Sequence, residues 1–121
     1  QAKRGGQWGK GKSAPGFGPI GPYLVTPDEA GDVQNLRVTT KVNGEVRQDS
    51  NTSDMIFSIP YIISYMSQFM ILRVGDVIAT GTPSGVAMGM DPPGWLKPGD
   101  VVEVEVEGLG AQRAEVVAHS A

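Results

Sequence analysis

The stretch Gly6–Ser13, GQWGKGKS, matches the phosphate-binding pattern G-x-x-x-x-G-K-S/T at every fixed position. In nucleotide-binding proteins this loop joins a buried strand to a helix, whose first N–H groups bind phosphate. Here the upstream residues, QAKRG, are too few and too polar for a buried strand. Downstream, three prolines fall within the eight residues 15–22, so no helix is expected to begin at Ser13. The context disfavours nucleotide binding and leaves Lys12 without an assigned role.

A second stretch with chemical potential is TGTPSG, residues 80–85. Thr82-Pro83-Ser84-Gly85 has the residue types of a β-turn, with proline second and glycine fourth. Small side chains would leave backbone N–H groups and the Thr82 hydroxyl uncovered, and such a turn can bind a carboxylate. A plain surface turn is the alternative that spacing alone leaves open.

The acidic and histidine side chains predict no acid–base pair or metal centre. Asp49 and Asp54 flank SNTS and are expected to be caps or turn formers. His119, the sole histidine, lies close to the end of the chain and is expected to be frayed. Three alternating glutamates share one strand face (Glu103, Glu105 and Glu107). No histidine or aspartate is expected opposite them to complete a metal site, so a solvated face is predicted.

Composition excludes several classes of protein. The chain has 121 residues, 40% hydrophobic content and a net charge of -3, which fits one modest domain and disfavours nucleic-acid binding. Without cysteine it can form no disulfide or thiolate metal site, and a cytoplasmic location is expected. No apolar run reaches the ~18 residues of a membrane span. The polar opening without methionine suggests a piece of a longer protein.

Glycine and proline contribute 17 and 9 residues, which favours short strands and tight turns. We predict an ordered loop region over residues 1–35. A hairpin is predicted over 36–48, turning at Asn43-Gly44, a pair that tolerates the positive φ angles of a type I′ turn. A helix is predicted over 59–70, with Ser58 as N-cap and Pro60 in the first turn. Its apolar stripe is predicted to pack in the core (Ile59, Ile62, Ile63, Met66 and Phe69).

Two similar phrases, RVGDVIATG and KPGDVVEVEVEG, each predict a Gly-Asp turn that leads into a strand. The first strand is expected at 76–79. In the second, the valines at 102, 104 and 106 face away from the glutamates. A last strand is predicted over 113–118.

Taken together, these phrases resemble the fumarylacetoacetate hydrolase family. The matching stretches are GKS, FGPIGPYLVTPDE, VNGEVRQDSNTSDMIFSIPYIISYMSQFM, GDVIATGTPSGVAMGM and LKPGDVVEVEVEGLG, in that order. The resemblance implies an α+β, mainly β fold, a mixed sandwich or roll of this family's C-terminal type. It also implies a single partial domain over 1–121, the C-terminal half of the catalytic domain, starting after an R-D-x-Q segment whose last letter matches Gln1.

Within the family, RGGQWGKGK and FGPIGPYLVT are most similar to members that hydrolyse 2,4-diketo-3-deoxy sugar acids. This similarity implies sugar-acid catabolism: C–C bond hydrolysis of 2,4-diketo-3-deoxy-L-rhamnonate to pyruvate and L-lactate, with Mg²⁺ or Mn²⁺ polarising the 2-oxo acid. Oxaloacetate decarboxylation or hydroxymuconate isomerisation is the alternative within the family, and a non-catalytic assembly module is the alternative outside it. A homodimer or higher homo-oligomer is expected.

The resemblance also implies roles for particular residues. Lys12 would place its charge where an oxyanion or enolate develops. Thr82, with Gly81 and Pro83, would bind the substrate carboxylate, and Gln1 would contact substrate. The family's metal ligands, an E-x-E pair and an aspartate, are expected upstream, as is its His–Glu pair, so this chain alone should hold no metal and be inactive. Relatives read GKSFDTF or GKGCDTF where this chain reads GKSAPGF, so Pro15-Gly16 replaces an Asp-Thr pair that helps order water near the metal.

Overall fold

A computed structural model describes residues 5, 6 and 8–118. Four strands form its main body, and the helices are short. The strands are β1 (Arg37–Val42), β2 (Glu45–Asn51), β3 (Val101–Val106) and β4 (Gly110–Glu115). The helices are α1 (Trp8–Lys12), α2 (Pro27–Ala30) and α3 (Ile59–Met66), with 3₁₀ turns at Thr52–Asp54 and Ala87–Gly89. The mainly β fold class is confirmed.

All neighbouring strands pair antiparallel, in the order β2-β1-β3-β4. The predicted hairpin is confirmed: β1 and β2 are joined by Asn43, with φ 53°, and Gly44, with φ 81°. Two successive positive φ angles match the twist of the two strands, which is why this residue pair makes so short a connection.

Asn43 also ties the hairpin to β3. Its side-chain oxygen accepts a hydrogen bond from the Val101 N–H at 2.8 Å, and its side-chain nitrogen donates to Asp100 Oδ1 at 2.9 Å. This hydrogen bond from Asn43, with a second one from the Lys97 N–H, lowers the pKa of the Asp100 carboxyl. The turn residue therefore fixes where β3 begins beside β1.

The two Gly-Asp phrases form the same local turn. In both 73–76 and 97–100, the N–H of the aspartate donates to the first residue's carbonyl, at 3.1 and 3.0 Å. The carboxylate accepts from the first residue's N–H at 2.7 Å in both turns. Both predicted turns are confirmed, but only the second leads into a strand. The predicted strand at 76–79 is wrong, because within the described chain that extended segment has no ladder partner.

Helix α3 begins as predicted and ends early. The Ser58 hydroxyl accepts from the Tyr61 N–H at 3.3 Å, and Pro60 lies in the first turn. Regular helix stops at Met66 rather than at residue 70. Beyond it the chain tightens into i→i+3 bonds, and the Ser67 hydroxyl donates back to the Ser64 carbonyl at 2.9 Å. Such side-chain bonds compete with the helical ladder.

The predicted core stripe on α3 is not buried. No hydrophobic residue among those described is buried, and Ile63 and Phe69 are 44% and 69% exposed. A row of aromatic rings runs beside this stripe and meets it at Phe69: Phe57 stacks on Tyr61 and Tyr61 on Tyr65, while the Tyr65 and Phe69 rings are tilted. The core prediction is therefore wrong for this chain, because Ile59, Ile62 and Met66 are only half-buried and the other two stripe residues are exposed.

The accessible surface of the chain confirms this openness. It measures 9761 Å², whereas a folded monomer of 12.8 kDa exposes about 6300 Å² by the scaling of surface with mass. Much apolar surface that a complete domain would cover is thus open. None of the helices in the described part has the length and apolar character needed to cross a bilayer.

The remaining elements differ from expectation at their edges. Helices α1 and α2 interrupt the predicted loop region over 1–35. The last strand occupies Gly110–Glu115 rather than 113–118, since its pairing with β3 sets its limits. The N-terminal segment runs against this strand: Gln112 donates to the Gly21 carbonyl, and a Cβ at Gly110 would lie 3.4 Å from the Tyr23 ring.

Of the two aspartates predicted to be caps or turn formers, the prediction is confirmed for Asp54 and wrong for Asp49, which lies within β2 and pairs with Arg37 on β1. Asp54 closes a capping box on Thr52–Asp54, and it accepts from the Ser50 hydroxyl at 2.7 Å. Asp49 accepts from the Arg37 Nε and Nη2, at 2.9 and 2.7 Å, and this hydrogen-bonded guanidinium lowers the pKa of its carboxyl. Glu103 stands between Lys41 and Arg113 on the neighbouring strands, which suits a charged, solvated face.

The left-handed conformation at Asn43 predicts an order of stabilities. Asn43→Gly and Asn43→Ala both lose the side-chain bonds to Asp100 and Val101. Alanine alone also places a Cβ in the left-handed region, so we expect it to unfold about 1–2 kcal/mol more easily than the glycine variant. Chemical denaturation of the intact protein measures this difference. Equal stability of the two variants would contradict the turn geometry.

Candidate functional site

Lys12 is the last residue of α1 and is exposed. Its Nζ lies 5.8 Å from the centroid of the Trp8 ring, one turn earlier, in a cation–π contact. The Ser13 hydroxyl donates to the Gly9 carbonyl at 2.6 Å, where the helix ends. In a phosphate-binding loop a helix begins at the lysine and serine, whereas here α1 ends at them. The prediction that no helix begins at Ser13 is confirmed.

The 80–85 loop is held on β2 by a side chain and by a close backbone approach. Gln48 Nε2 donates to Thr82 Oγ1 and to the Pro83 carbonyl, each at 2.9 Å. At Gly85, with φ +104°, an added Cβ would lie 1.9 Å from the Arg47 carbonyl oxygen. The chain bends at Ser84, and within the described residues no hydrogen bond joins the Thr82 carbonyl to the Gly85 N–H. The loop is therefore a bend that lacks the hydrogen bond of a β-turn, and its contacts are with β2.

An irregularity in β2 lies directly beneath this loop. Thr40 pairs with Gln48 and Lys41 with Val46, so Arg47 is an extra residue, a β-bulge. Bulges bend a strand and redirect its side chains. Arg47 and Gln48, although consecutive, both line one cavity of about 200 Å³ between the sheet and the segment 85–96.

Arg47 spans the wall of this cavity. Its Nη1 lies 3.2 Å from Met90 Sδ, and its Nη2 lies 3.3 Å from the Glu45 carboxylate. Its Nε is buried without a hydrogen-bond partner among the described residues. Gly94 leaves room for the guanidinium, since a Cβ there would lie 3.3 Å from Nη1. The arginine thus fastens the segment 85–96 to the hairpin.

Comparison with known proteins decides the family. Residues 1–117 match the family model described as "Fumarylacetoacetate (FAA) hydrolase C-terminal". The chain belongs to the fumarylacetoacetate hydrolase family. It is 50% identical over 117 residues to the 2,4-didehydro-3-deoxy-L-rhamnonate hydrolase of Sphingomonas sp. (strain SKA58), a match that covers 96% of this chain and 41% of that relative. The chain thus spans about two fifths of the length of such a relative.

Solved structures of the fumarylacetoacetate hydrolase family share this fold. The fumarylacetoacetate hydrolase from Exiguobacterium antarcticum superposes with a TM-score of 0.87 at 47% identity, over 91% of this chain and 39% of that one. The maleylpyruvate hydrolase from Sphingobium sp. SYK-6, in complex with manganese(II) and pyruvate, gives a TM-score of 0.76 at 37% identity, over 84% and 36%. Each match covers less than two fifths of the neighbour's chain, and both neighbours are named as hydrolases.

The predicted site residues of this fumarylacetoacetate hydrolase chain fall into two groups. Thr82, Gly81 and Pro83 lie together in the loop fixed to β2. Lys12 lies on α1, and among the described residues no hydrogen bond or ion pair joins it to that loop. Convergence of the two groups stays a prediction. Gln1 and His119, which were also considered from the sequence, lie outside the described residues.

Gln48 is the site residue that sequence reasoning missed. It is the last residue of the predicted hairpin, 34 positions before Thr82, and no local pattern relates the two. Within the part of the chain that the structure describes, no three histidine, aspartate or glutamate side chains lie close enough to hold a metal ion.

The contact between Gly85 and Arg47 predicts a position intolerant of any side chain. We expect Gly85→Ala to lower the free energy of unfolding by at least ~2 kcal/mol, because the added Cβ overlaps a strand carbonyl and needs a left-handed backbone. Gly89→Ala is the matched control, since its Cβ would make an ordinary contact 3.9 Å from Val86. Thermal and chemical denaturation of the intact protein give both values. A Gly85→Ala variant as stable as Gly89→Ala would refute the docked loop.

Proposed function

We propose that this chain is the C-terminal part of the catalytic domain of a hydrolase that cleaves a C–C bond in a 2,4-diketo acid. The specific substrate we propose is 2,4-diketo-3-deoxy-L-rhamnonate, cleaved to pyruvate and L-lactate. The observation that carries this proposal is the 50% identity, over 117 residues, to a relative named for that activity. The complete enzyme, in this proposal, joins the chain to an upstream segment like that of its relatives.

We further propose that the enzyme uses Mg²⁺ or Mn²⁺. A structural neighbour in complex with manganese(II) and pyruvate supports a divalent ion. The described residues supply no complete set of ligands, so the donors belong, in this proposal, to the upstream segment. Bound there, the ion would polarise the oxygens of the 2-oxo acid.

The proposed contributions of this chain are electrostatic and positional. The Lys12 ammonium, which is exposed, would stabilise negative charge as it develops on the substrate. The 80–85 loop would bind the substrate carboxylate through the Thr82 hydroxyl and the backbone N–H of Gly81, while Pro83, which has no N–H to donate, would line the site. Support for that role comes from how the loop is held, because a site that is fixed before binding loses less entropy on binding. Gln1 would complete the substrate contacts.

The open apolar surface supports the proposed upstream segment. The chain exposes roughly 3500 Å² more than a compact monomer of its mass, from the 9761 Å² measured and the scaling of surface with mass. A standard interface covers only about 800 Å² per partner. Most of the excess therefore needs covering by the rest of the same domain, and a homodimer contact, which we also propose, would cover the remainder. A cytoplasmic location is part of the same proposal.

Lys12 provides the first test of the proposed chemistry. Replacing it with alanine in the complete enzyme should lower kcat by roughly 10²–10³-fold, the usual scale for one electrostatic stabiliser. Lys10→Ala, which removes an equal charge from the same short helix, is the matched control and should keep near-normal turnover. Steady-state release of pyruvate measures both variants. Equal turnover in the two would remove Lys12 from the mechanism.

The substrate and the metal are tested together. We expect the complete enzyme with Mg²⁺ or Mn²⁺ to release pyruvate and lactate from 2,4-diketo-3-deoxy-L-rhamnonate, to lose activity in a chelator and to regain it when the ion is restored. Release of pyruvate from oxaloacetate alone would replace the hydrolase assignment by decarboxylation. An upstream segment without an E-x-E pair and an aspartate, together with no activity on either acid, would favour a non-catalytic assembly module.

A further inference from the structure

The side-chain amide of Gln48 contacts the 80–85 loop through one atom, its nitrogen. Nε2 lies 2.9 Å from Thr82 Oγ1 and 2.9 Å from the Pro83 carbonyl oxygen. A carbonyl oxygen can only accept, so the Pro83 carbonyl requires the nitrogen of the amide, and not its oxygen, to face the loop. Both amide hydrogens are then used, one on each acceptor.

This orientation sets the direction of hydrogen bonding at Thr82. A hydroxyl has one hydrogen to donate and two lone pairs that accept. Because Gln48 donates to Thr82 Oγ1, that bond uses a lone pair and leaves the hydroxyl hydrogen free. Thr82 is exposed, and among the described residues its hydroxyl donates to no acceptor. The hydrogen is thus available to an acceptor that arrives from solvent, such as a carboxylate.

We propose that Gln48 is a positioning residue that holds Thr82 as a hydrogen-bond donor to the carboxylate of the keto-acid substrate. Gln48 acts through Thr82 and need not touch the substrate itself. This inference rests on the proposed function. It adds the reason why the Thr82 hydroxyl donates its hydrogen to the substrate carboxylate.

The backbone around Gln48 suits a fixed anchor. Gln48 pairs with Thr40 in the β1–β2 ladder immediately beside the bulge at Arg47. The close approach of Gly85 to the Arg47 carbonyl shows that the far end of the loop lies against the same strand. Gln48 therefore anchors the loop at Thr82 and Pro83 while Gly85 lies against the same strand, so the Thr82 hydroxyl cannot turn away without losing its hydrogen bond to Gln48.

Gln48→Glu in the complete enzyme reverses the direction of this hydrogen bond. A carboxylate accepts the Thr82 hydrogen and withdraws it from the substrate, so we expect KM for the keto acid to rise about 10–100-fold, the scale of a hydrogen bond to a charged group. The effect on kcat should stay within about threefold, because the carboxylate contact is the same in ground and transition states. Gln48→Met, which keeps the length but neither donates nor carries charge, should raise KM by a smaller factor. Gln68→Glu, the same change at an exposed glutamine after α3, is the control and should leave KM unchanged.

The decisive measurement repeats both Gln48 substitutions in a Thr82→Val background. If Gln48 acts through the hydroxyl, the rise in KM shrinks when that hydroxyl is gone, and the two sites are not additive. The same rise in both backgrounds would overturn the inference, as would a lowered melting temperature without a change in KM. Should the glutamate variant fail to fold, the methionine variant carries the same test. Wild-type enzyme inactive on every 2-oxo acid would overturn the proposed function as well, whereas active wild type with an unresponsive KM would overturn this inference alone.

Discussion

Backbone hydrogen bonding between strands, rather than burial of side chains, holds the described part of this chain together. β1 is paired along both edges, with β2 on one side and β3 on the other, and β4 extends the sheet beyond β3. The 80–85 loop and the segment 85–96 are both attached to this ladder. The hairpin turn at Asn43 sets the start of β3, and the 80–85 loop rests on β2 through Gln48.

The apolar side chains of this chain are largely exposed, which explains why strand pairing rather than side-chain burial holds it together. Helix α3 carries an apolar stripe beside a row of aromatic rings, and no residue of either set is buried here. A helix that is apolar all round is suited to the interior of a larger structure. Family membership over residues 1–117, in relatives more than twice as long, agrees with that physical argument.

The candidate carboxylate loop shows how an irregular sheet can serve a site. The extra residue at Arg47 bends β2 where the 80–85 loop contacts it. Because of this bend, the side chains of Arg47 and Gln48 contact different segments. Arg47 fastens the segment 85–96 through Met90, while Gln48 fastens Thr82 and Pro83. Glycine at 85 is required because a strand carbonyl occupies the space of a side chain. Rigidity in the loop thus comes from the strand below it and not from a hydrogen bond within the turn.

The sequence by itself determined those features whose cause lies within a few residues. Asn43-Gly44 favours positive φ angles, Ser58 caps the helix that follows it, and the two Gly-Asp phrases make the same turn twice. The family could likewise be recognised from the sequence, because stretches that resemble it occur along nearly the whole chain. Tertiary structure decided the rest. Of two identical turns, only the one that delivers its chain between β1 and β4 starts a strand, and Gln48 meets Thr82 only because the loop folds back onto β2. A turn is fixed by dihedral preferences and short-range hydrogen bonds, whereas a strand or an anchored loop needs a distant partner that no local pattern can specify.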